Sequence, residues 1–192
     1  MARLAVFASG RGSNFVAIAR ALKGTLHTIE FLLCDVVGAP VLDRAKEIGV
    51  PIVAISYDGE KRKAVEKKIV RHLERRCVDI VALAGFMKLL TPSFLEAFKG
   101  PVVNVHPSLL PKYPGVHGIE ESYTSGDSEL GITIMRVDAG VDTGPIILQK
   151  SFRREPGETL EQVEARIHKL EHIWYPRALI SLLDVVDNEG AP

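Results

Sequence analysis

The chain has 192 residues, 46% of them hydrophobic, which is enough to bury a core at the upper end of typical single-domain length. Its 24 basic and 24 acidic residues balance, so it lacks the positive field that favours nucleic acid or an anionic membrane, and small-molecule partners are expected. No apolar run reaches the roughly 18 residues that span a bilayer, and the first strand begins at Arg3, so we expect a cytoplasmic monomer or homodimer without a signal peptide.

Short β-branched runs alternate with amphipathic stretches over residues 1–105. This alternation is typical of parallel strands covered by helices on both faces, and it predicts an α/β, doubly wound, mostly parallel sheet with a Rossmann-like N-terminal half. The predicted strands are 4–8, 29–34, 52–55, 80–84 and 102–105, and the predicted helices lie near 14–23, 40–48, 60–75 and 92–98.

The pattern changes after residue 105. A Pro-rich loop at 107–115 and a short helix near 117–125 come before two strands, 132–137 and 146–152, which we expect to pair antiparallel at one side of the sheet. The tail, 158–186, has the apolar period of a helix that Pro176 should kink or break. Because no repeat or polar linker separates two cores, we expect a single domain over 1–192.

A glycine-rich turn, Ser9–Asn14, joins the first strand to the first helix. Its backbone N–H groups and the helix dipole favour an anion, so the turn is a candidate phosphate site. Two alternatives remain. A dinucleotide fingerprint would need a glycine where the chain has Phe15, although Asp35 resembles its acidic ribose ligand. The glycines could instead permit a tight turn in which Ser13 or Asn14 caps the helix.

Three polar side chains form the candidate catalytic group. Asn104 and His106 end the fifth strand two residues apart, and the period of a strand places them on one face, at the carboxyl edge that lines the ligand crevice. Asp142 lies in a glycine-spaced loop that can return to the same crevice, or it caps its own turn. An amide, an imidazole and a carboxylate side by side offer a hydrogen-bond donor to an oxyanion and a proton acceptor, which is what acyl-transfer chemistry needs.

A different class of enzyme is suggested by the tail helix. His168, Glu171 and His172 match the inverted zinc-peptidase pattern His-x-x-Glu-His, with the two histidines one turn apart. So short a pattern arises easily on a charged helix, and no motif marks a third ligand, so a solvated helix face is the simpler interpretation. We expect no metal.

The stretch Asn-x-His-Pro-Ser-Leu-Leu-Pro at 104–111, together with the glycine-rich turn and the segment 142–145, resembles the glycinamide ribonucleotide formyltransferases. The resemblance covers nearly the whole chain. It implies the formyltransferase fold, with a phosphate-binding half at 1–105 and a folate-binding, closing half at 106–192. It also implies the reaction, transfer of the formyl group of 10-formyltetrahydrofolate to the amine of glycinamide ribonucleotide in de novo purine synthesis.

The resemblance further implies residue roles. Asn104 would hold the formyl oxygen, His106 would act as general acid and base, and Asp142 would keep the imidazole charged. The peptide before Pro111 would be cis. The implied substrate-binding residues are Gly12, Ser13, Asn14, Met87 and Glu171, and the implied cofactor-binding residues are Lys88, Leu89, Leu90, Asn104, Asp138 and Asp142.

Departures and relatives leave further alternatives open. Lys88 stands where relatives often carry Arg, His168 where Gln is common, and Gly118 in a variable stretch, which affects the folate-tail and phosphate contacts.

Methionyl-tRNA formyltransferases resemble the chain but need a tRNA-binding domain, and formyltetrahydrofolate hydrolases normally add a regulatory domain. A non-catalytic sugar-phosphate sensor would not need the three polar side chains together. Without the resemblance, Met87, Leu89 and Leu90 would be ordinary core.

Overall fold

A computed structural model describes residues 1–189, which form seven strands and six helices. The strands are β1 (Arg3–Ala8), β2 (Thr28–Cys34), β3 (Ile52–Ala54), β4 (Ile80–Leu83), β5 (Val102–His106), β6 (Glu129–Arg136) and β7 (Ile146–Arg153). The helices are α1 (Ser13–Leu22), α2 (Pro40–Ile48), α3 (Arg62–Arg75), α4 (Pro92–Ala97), α5 (Gly118–Thr124) and α6 (Leu160–Glu189). Every strand and helix predicted from the sequence is present, and β6 begins three residues earlier than expected.

All seven strands join one sheet in the order β3-β2-β1-β4-β5-β6-β7. The first five strands run parallel, whereas β6 pairs antiparallel with both β5 and β7. The predicted doubly wound, mostly parallel sheet with a late antiparallel pair at one side is therefore confirmed.

The two faces of the sheet carry separate cores because side chains alternate along each strand. On β1, Leu4 and Val6 pack with α1, α2 and α6, while Ala5 and Phe7 pack on the opposite face with α3 and α4. Burial on both faces explains the continuous apolar runs of the parallel strands.

The long tail helix α6 runs without a break from Leu160 to Glu189, with Pro176 inside it. The expectation that Pro176 breaks the helix is wrong. The neighbouring Tyr175 is fully buried, and its hydroxyl contacts the carbonyls of Leu83 and Val103 in the sheet. Packing of this helix over the sheet outweighs the roughly 3 kcal/mol that an internal proline costs.

The order of strands creates a crevice at the carboxyl edge of the sheet. The chain moves outward from β1 to β2 and β3, and then returns to β4 on the other side of β1. At such a reversal the loops that follow neighbouring strands separate and leave room for a ligand. The turn after β1 and the segment after β4 meet here, because the Ser9 amide donates to the Gly85 carbonyl at 3.0 Å.

Candidate active site

The glycine-rich turn after β1 depends on Gly12. This residue has φ +75°, and a Cβ there would clash with the side chain of Val41. No side chain among the described residues 1–189 caps α1, so the alternative in which Ser13 or Asn14 caps this helix is wrong. The first backbone N–H groups of α1 consequently remain available to an anion.

Ser9 ties this turn to its neighbours. Its hydroxyl donates to Asp35 Oδ1 at 2.5 Å and accepts from the Met87 amide at 3.0 Å. Asp35 therefore helps to hold the glycine-rich turn. This contact explains an aspartate after β2 without the ribose ligand that a dinucleotide site would require. The same hydroxyl fixes the start of the segment 87–90 beside the glycine-rich turn.

His106 lies at the carboxyl end of β5 and is 3% exposed. Its Nε2 is 2.7 Å from the carbonyl oxygen of Tyr113, and its Nδ1 is 3.4 Å from Asp142 Oδ2. A carbonyl only accepts, so Nε2 carries a proton and Nδ1 is the atom that faces the carboxylate. The imidazole therefore donates to the Tyr113 carbonyl through Nε2 and has a carboxylate beside Nδ1.

Asp142 reaches this position from the loop between β6 and β7. It has φ +54°, and its Oδ2 also accepts a hydrogen bond from the Gly115 amide at 2.8 Å. The start of the same loop is organised by Asp138, whose Oδ1 accepts from the Gly140 amide and the Thr143 hydroxyl at 3.0 and 2.7 Å. Asp142 therefore joins His106 to the loop 107–115 and does more than cap its own turn.

Asn104 is half-buried on β5, opposite Met135 of β6. Its side-chain amide forms no hydrogen bond with any of the described residues 1–189. Because Asn104 and His106 are two residues apart on one strand, their side chains lie on the same face. The amide can donate to a ligand beside the imidazole.

Buried polar groups that the sequence argument did not identify hold the loop 107–115. Thr133 Oγ1 on β6 donates to the Ser108 carbonyl at 2.7 Å and accepts from the Leu110 amide at 3.0 Å. Gln149 on β7 donates to the Leu110 carbonyl at 2.8 Å. The peptide before Pro111 is cis, as the resemblance implied. A threonine within the apolar run of β6 was the one available signal for this contact.

The glycine-rich turn meets the tail helix α6 through Glu171, which is 5% exposed. Glu171 Oε2 accepts from Asn14 Nδ2 at 3.0 Å and lies 3.1 Å from His168 Nδ1. The hydrogen bond to Glu171 raises the pKa of His168, whereas burial lowers the pKa of His172. No group of three or more metal-binding side chains occurs among residues 1–189, so the zinc alternative gains no support.

The formyl transferase family model matches residues 2–179 of this sequence. The chain belongs to the formyl transferase family. The family predicted from the segment 104–111 and the glycine-rich turn is therefore confirmed.

Individual relatives agree with this assignment. A phosphoribosylglycinamide formyltransferase of Bacillus subtilis (strain 168) is 43% identical over 195 aligned residues, which cover 99% of this chain and 98% of that protein. The crystal structure of glycinamide ribonucleotide transformylase 1 from Geobacillus kaustophilus is 47% identical, with a TM-score of 0.91 and coverage of 95% and 99%. A trifunctional purine biosynthetic protein adenosine-3 of Drosophila melanogaster is 38% identical over 95% of this chain and 14% of its own length.

In this formyl transferase the segment 87–90 presents a mixed surface. Met87 and Leu89 are 62% and 58% exposed, and Lys88 Nζ lies 5.8 Å from the ring centroid of Tyr57. Leu90 is 8% exposed and packs with the core below α3 and α4, so its side chain is not available to a ligand. A binding contact by Leu90 would therefore use its backbone groups, and its role in binding stays a prediction.

The departure at Gly118, the first residue of α5, has a local explanation in this formyl transferase. A Cβ at this position would lie 3.0 Å from His106 Nε2 and 3.2 Å from the Tyr113 carbonyl oxygen. Such distances are tighter than normal carbon contacts. The glycine therefore lets α5 approach the imidazole without displacing it. Among residues 1–189, no helix combines the length and apolar character that crossing a bilayer requires.

Proposed function

We propose that this chain transfers the formyl group of 10-formyltetrahydrofolate to the amine of glycinamide ribonucleotide, in de novo purine synthesis. One observation carries the proposal. The buried His106 is held between the Tyr113 carbonyl and Asp142, on the same strand face as the Asn104 amide. Membership of the formyl transferase family implies a folate-derived co-substrate, and relatives named phosphoribosylglycinamide formyltransferase support the choice of acceptor.

The catalytic roles follow from the charge that develops during the reaction. When the amine nitrogen attacks the formyl carbon, the carbonyl oxygen becomes an oxyanion and the nitrogen becomes an ammonium. The free amide of Asn104 donates to the oxyanion. His106 acts as general acid and base in moving the ammonium proton to the departing folate nitrogen, and Asp142 stabilises the imidazolium.

The binding roles divide between the two ends of the crevice. The backbone of Gly12 and Ser13, with Asn14, holds the substrate phosphate at the start of α1, where the helix dipole favours an anion. Glu171 accepts hydrogen bonds from the ribose hydroxyls, since a carboxylate offers several lone pairs to a diol. Met87 contacts the part of the substrate that lies between its ribosyl phosphate and the amine that reacts.

The folate lies between the segment 87–90 and the loop 138–142. Lys88 offers a cation to an anionic tail, and the exposed side chain of Leu89 offers an apolar wall to the ring. The backbone of Leu90, together with Asp138, Asp142 and Asn104, binds the polar edge of the ring. No metal takes part, and the partners are these two small molecules.

A parallel assay tests this function. The purified chain is given 10-formyltetrahydrofolate with glycinamide ribonucleotide, charged initiator tRNA or water as the acceptor, and loss of the formyl donor is followed. We expect transfer to the ribonucleotide alone. Formylation of tRNA or release of formate would assign the chain to another branch of the family. Inactivity with all three acceptors would favour a sugar-phosphate sensor.

A further inference from the structure

The segment 87–91 leads from β4 to α4 without forming a helix or a strand of its own. Lys88, Leu89 and Leu90 form no hydrogen bond with any of the described residues 1–189. Backbone without such bonds is placed by the contacts on either side of it. The position of this segment therefore depends on its two ends and on the buried side chain of Leu90.

Hydrogen bonds hold both ends of the segment. At the start, the Met87 amide donates to Ser9 Oγ at 3.0 Å, and the Ser9 hydroxyl donates to Asp35. At the end, Thr91 donates twice to Glu66 of α3, from its amide to Oε1 at 3.1 Å and from its hydroxyl to Oε2. The Glu66 carboxylate thus binds the last residue before α4 through two of its groups.

Glu66 is only 2% exposed, among apolar neighbours on α3 that include the buried Val65 and Ile69. Burial of a carboxylate costs free energy unless its oxygens accept hydrogen bonds, and both oxygens accept here. Both donors belong to Thr91. An apolar side chain would fill the same space at lower cost, so the carboxylate is better explained by its hold on Thr91 than by the stability of α3.

We propose that Glu66 is a positioning residue for the folate co-substrate, because through Thr91 it holds the backbone of residues 88–90 in place. The inference rests on the proposed function, in which the folate ring lies against this segment, and deepens it. The side chain of Leu90 is buried, so a ring beside it meets backbone groups. Small displacements of such groups weaken binding. Glu66 itself is buried below the segment and takes no part in the chemistry.

The change Glu66→Leu keeps an apolar side chain of similar length and removes both acceptors. We expect the KM for 10-formyltetrahydrofolate to rise about tenfold, and the dissociation constant of tetrahydrofolate, measured by calorimetry, to rise by the same factor. At saturating substrates kcat should change less than about twofold, because Asn104, His106 and Asp142 lie on other elements.

Ribose 5-phosphate reports on the other end of the crevice, because it carries the phosphate and the hydroxyls of the ribonucleotide but has no amine to formylate. Its dissociation constant should be the same in Glu66→Leu as in the native protein. A general loosening of the fold would weaken both ligands. A change confined to the folate therefore separates positioning of the segment from a loss of stability.

Two variants of α3 serve as controls. In Glu66→Gln the carboxamide oxygen still accepts from the Thr91 amide, and its NH₂ group can donate to the Thr91 hydroxyl, so the KM for the folate should stay within about twofold of native. Val70→Ala removes buried apolar atoms one helical turn further along. It should lower the melting temperature and leave this KM unchanged.

Thr91→Val removes the hydroxyl contact alone and should raise the KM for the folate about threefold. Combined with Glu66→Leu it should add nothing, since both changes act on one contact. Additive effects, a native folate KM in Glu66→Leu, a tenfold rise in Glu66→Gln, or equal weakening of ribose 5-phosphate overturns the inference even if the chain formylates glycinamide ribonucleotide. Absence of tetrahydrofolate binding by the native protein contradicts both this inference and the proposed folate site.

Discussion

At the level of single residues, the three polar side chains of the candidate catalytic group are not equivalent. His106 and Asp142 are engaged with each other and with the loop 107–115, whereas Asn104 makes no hydrogen bond with the described residues. A polar amide kept half-buried without a partner contributes little to folding. Its place beside His106 is therefore better explained by a ligand than by stability.

The change Asn104→Ala tests this view. We expect turnover of glycinamide ribonucleotide to fall by about 10²- to 10³-fold, because one donor to the oxyanion is lost. The melting temperature should stay close to that of the native protein, since no hydrogen bond within the protein is removed. Steady-state kinetics and a thermal melt of the same preparation measure both quantities. Near-normal turnover would refute the assigned role.

At the level of elements, the tail helix α6 packs the C-terminal part of the chain against α1 and the sheet. Its Tyr175 is fully buried, and the Tyr175 hydroxyl lies 3.0 and 2.9 Å from the carbonyl oxygens of Leu83 in β4 and Val103 in β5. Burial raises the pKa of this phenol well above its usual value, so the hydroxyl stays protonated and donates. The contact fixes α6 over the sheet next to Pro176.

The change Tyr175→Phe should lower the free energy of unfolding by about 1 to 3 kcal/mol, because buried carbonyls lose their donor. The matched control is Tyr57→Phe, whose hydroxyl is buried without a partner among the described residues. Its removal should be neutral or slightly stabilising. Urea denaturation followed by circular dichroism compares the two variants. Equal destabilisation would show that the hydroxyl contacts of α6 are unimportant.

At the level of the whole molecule, we propose that the chain unfolds as a single domain, although its two halves, 1–105 and 106–192, hold different parts of the site. The boundary between the halves falls within a continuous sheet, because β5 pairs with β4 on one side and with β6 on the other. The tail helix then packs back on α1 and β5 of the N-terminal half. The core on the α1 face of the sheet is therefore shared between the two halves.

Calorimetry tests the single domain. We expect one transition whose calorimetric and van't Hoff enthalpies agree, since separate cores would unfold separately. Saturation with ribose 5-phosphate at about 100 times its dissociation constant should add roughly 2.7 kcal/mol to the whole transition. Two resolved transitions, with only one of them shifted by the ligand, would contradict the proposal.

The sequence alone was sufficient for those features that depend on local pattern. Alternating side chains and helical periods are properties of neighbouring residues, so the strands, the helices and the place of the glycine-rich turn between β1 and α1 could be predicted from short windows. The segment 104–111 was distinctive enough to indicate the family. Which side chains carry the function was then inferred partly from that resemblance.

Only the tertiary structure decided which distant residues meet. Glu171 contacts Asn14 across 157 positions, and Thr133 and Gln149 hold a loop that no local pattern connects to them. The helix α6 continues through Pro176, because its packing over the sheet outweighs the local preference of proline to end a helix. Such contacts depend on how sheet and helices pack, and packing free energy is shared among residues far apart in the chain.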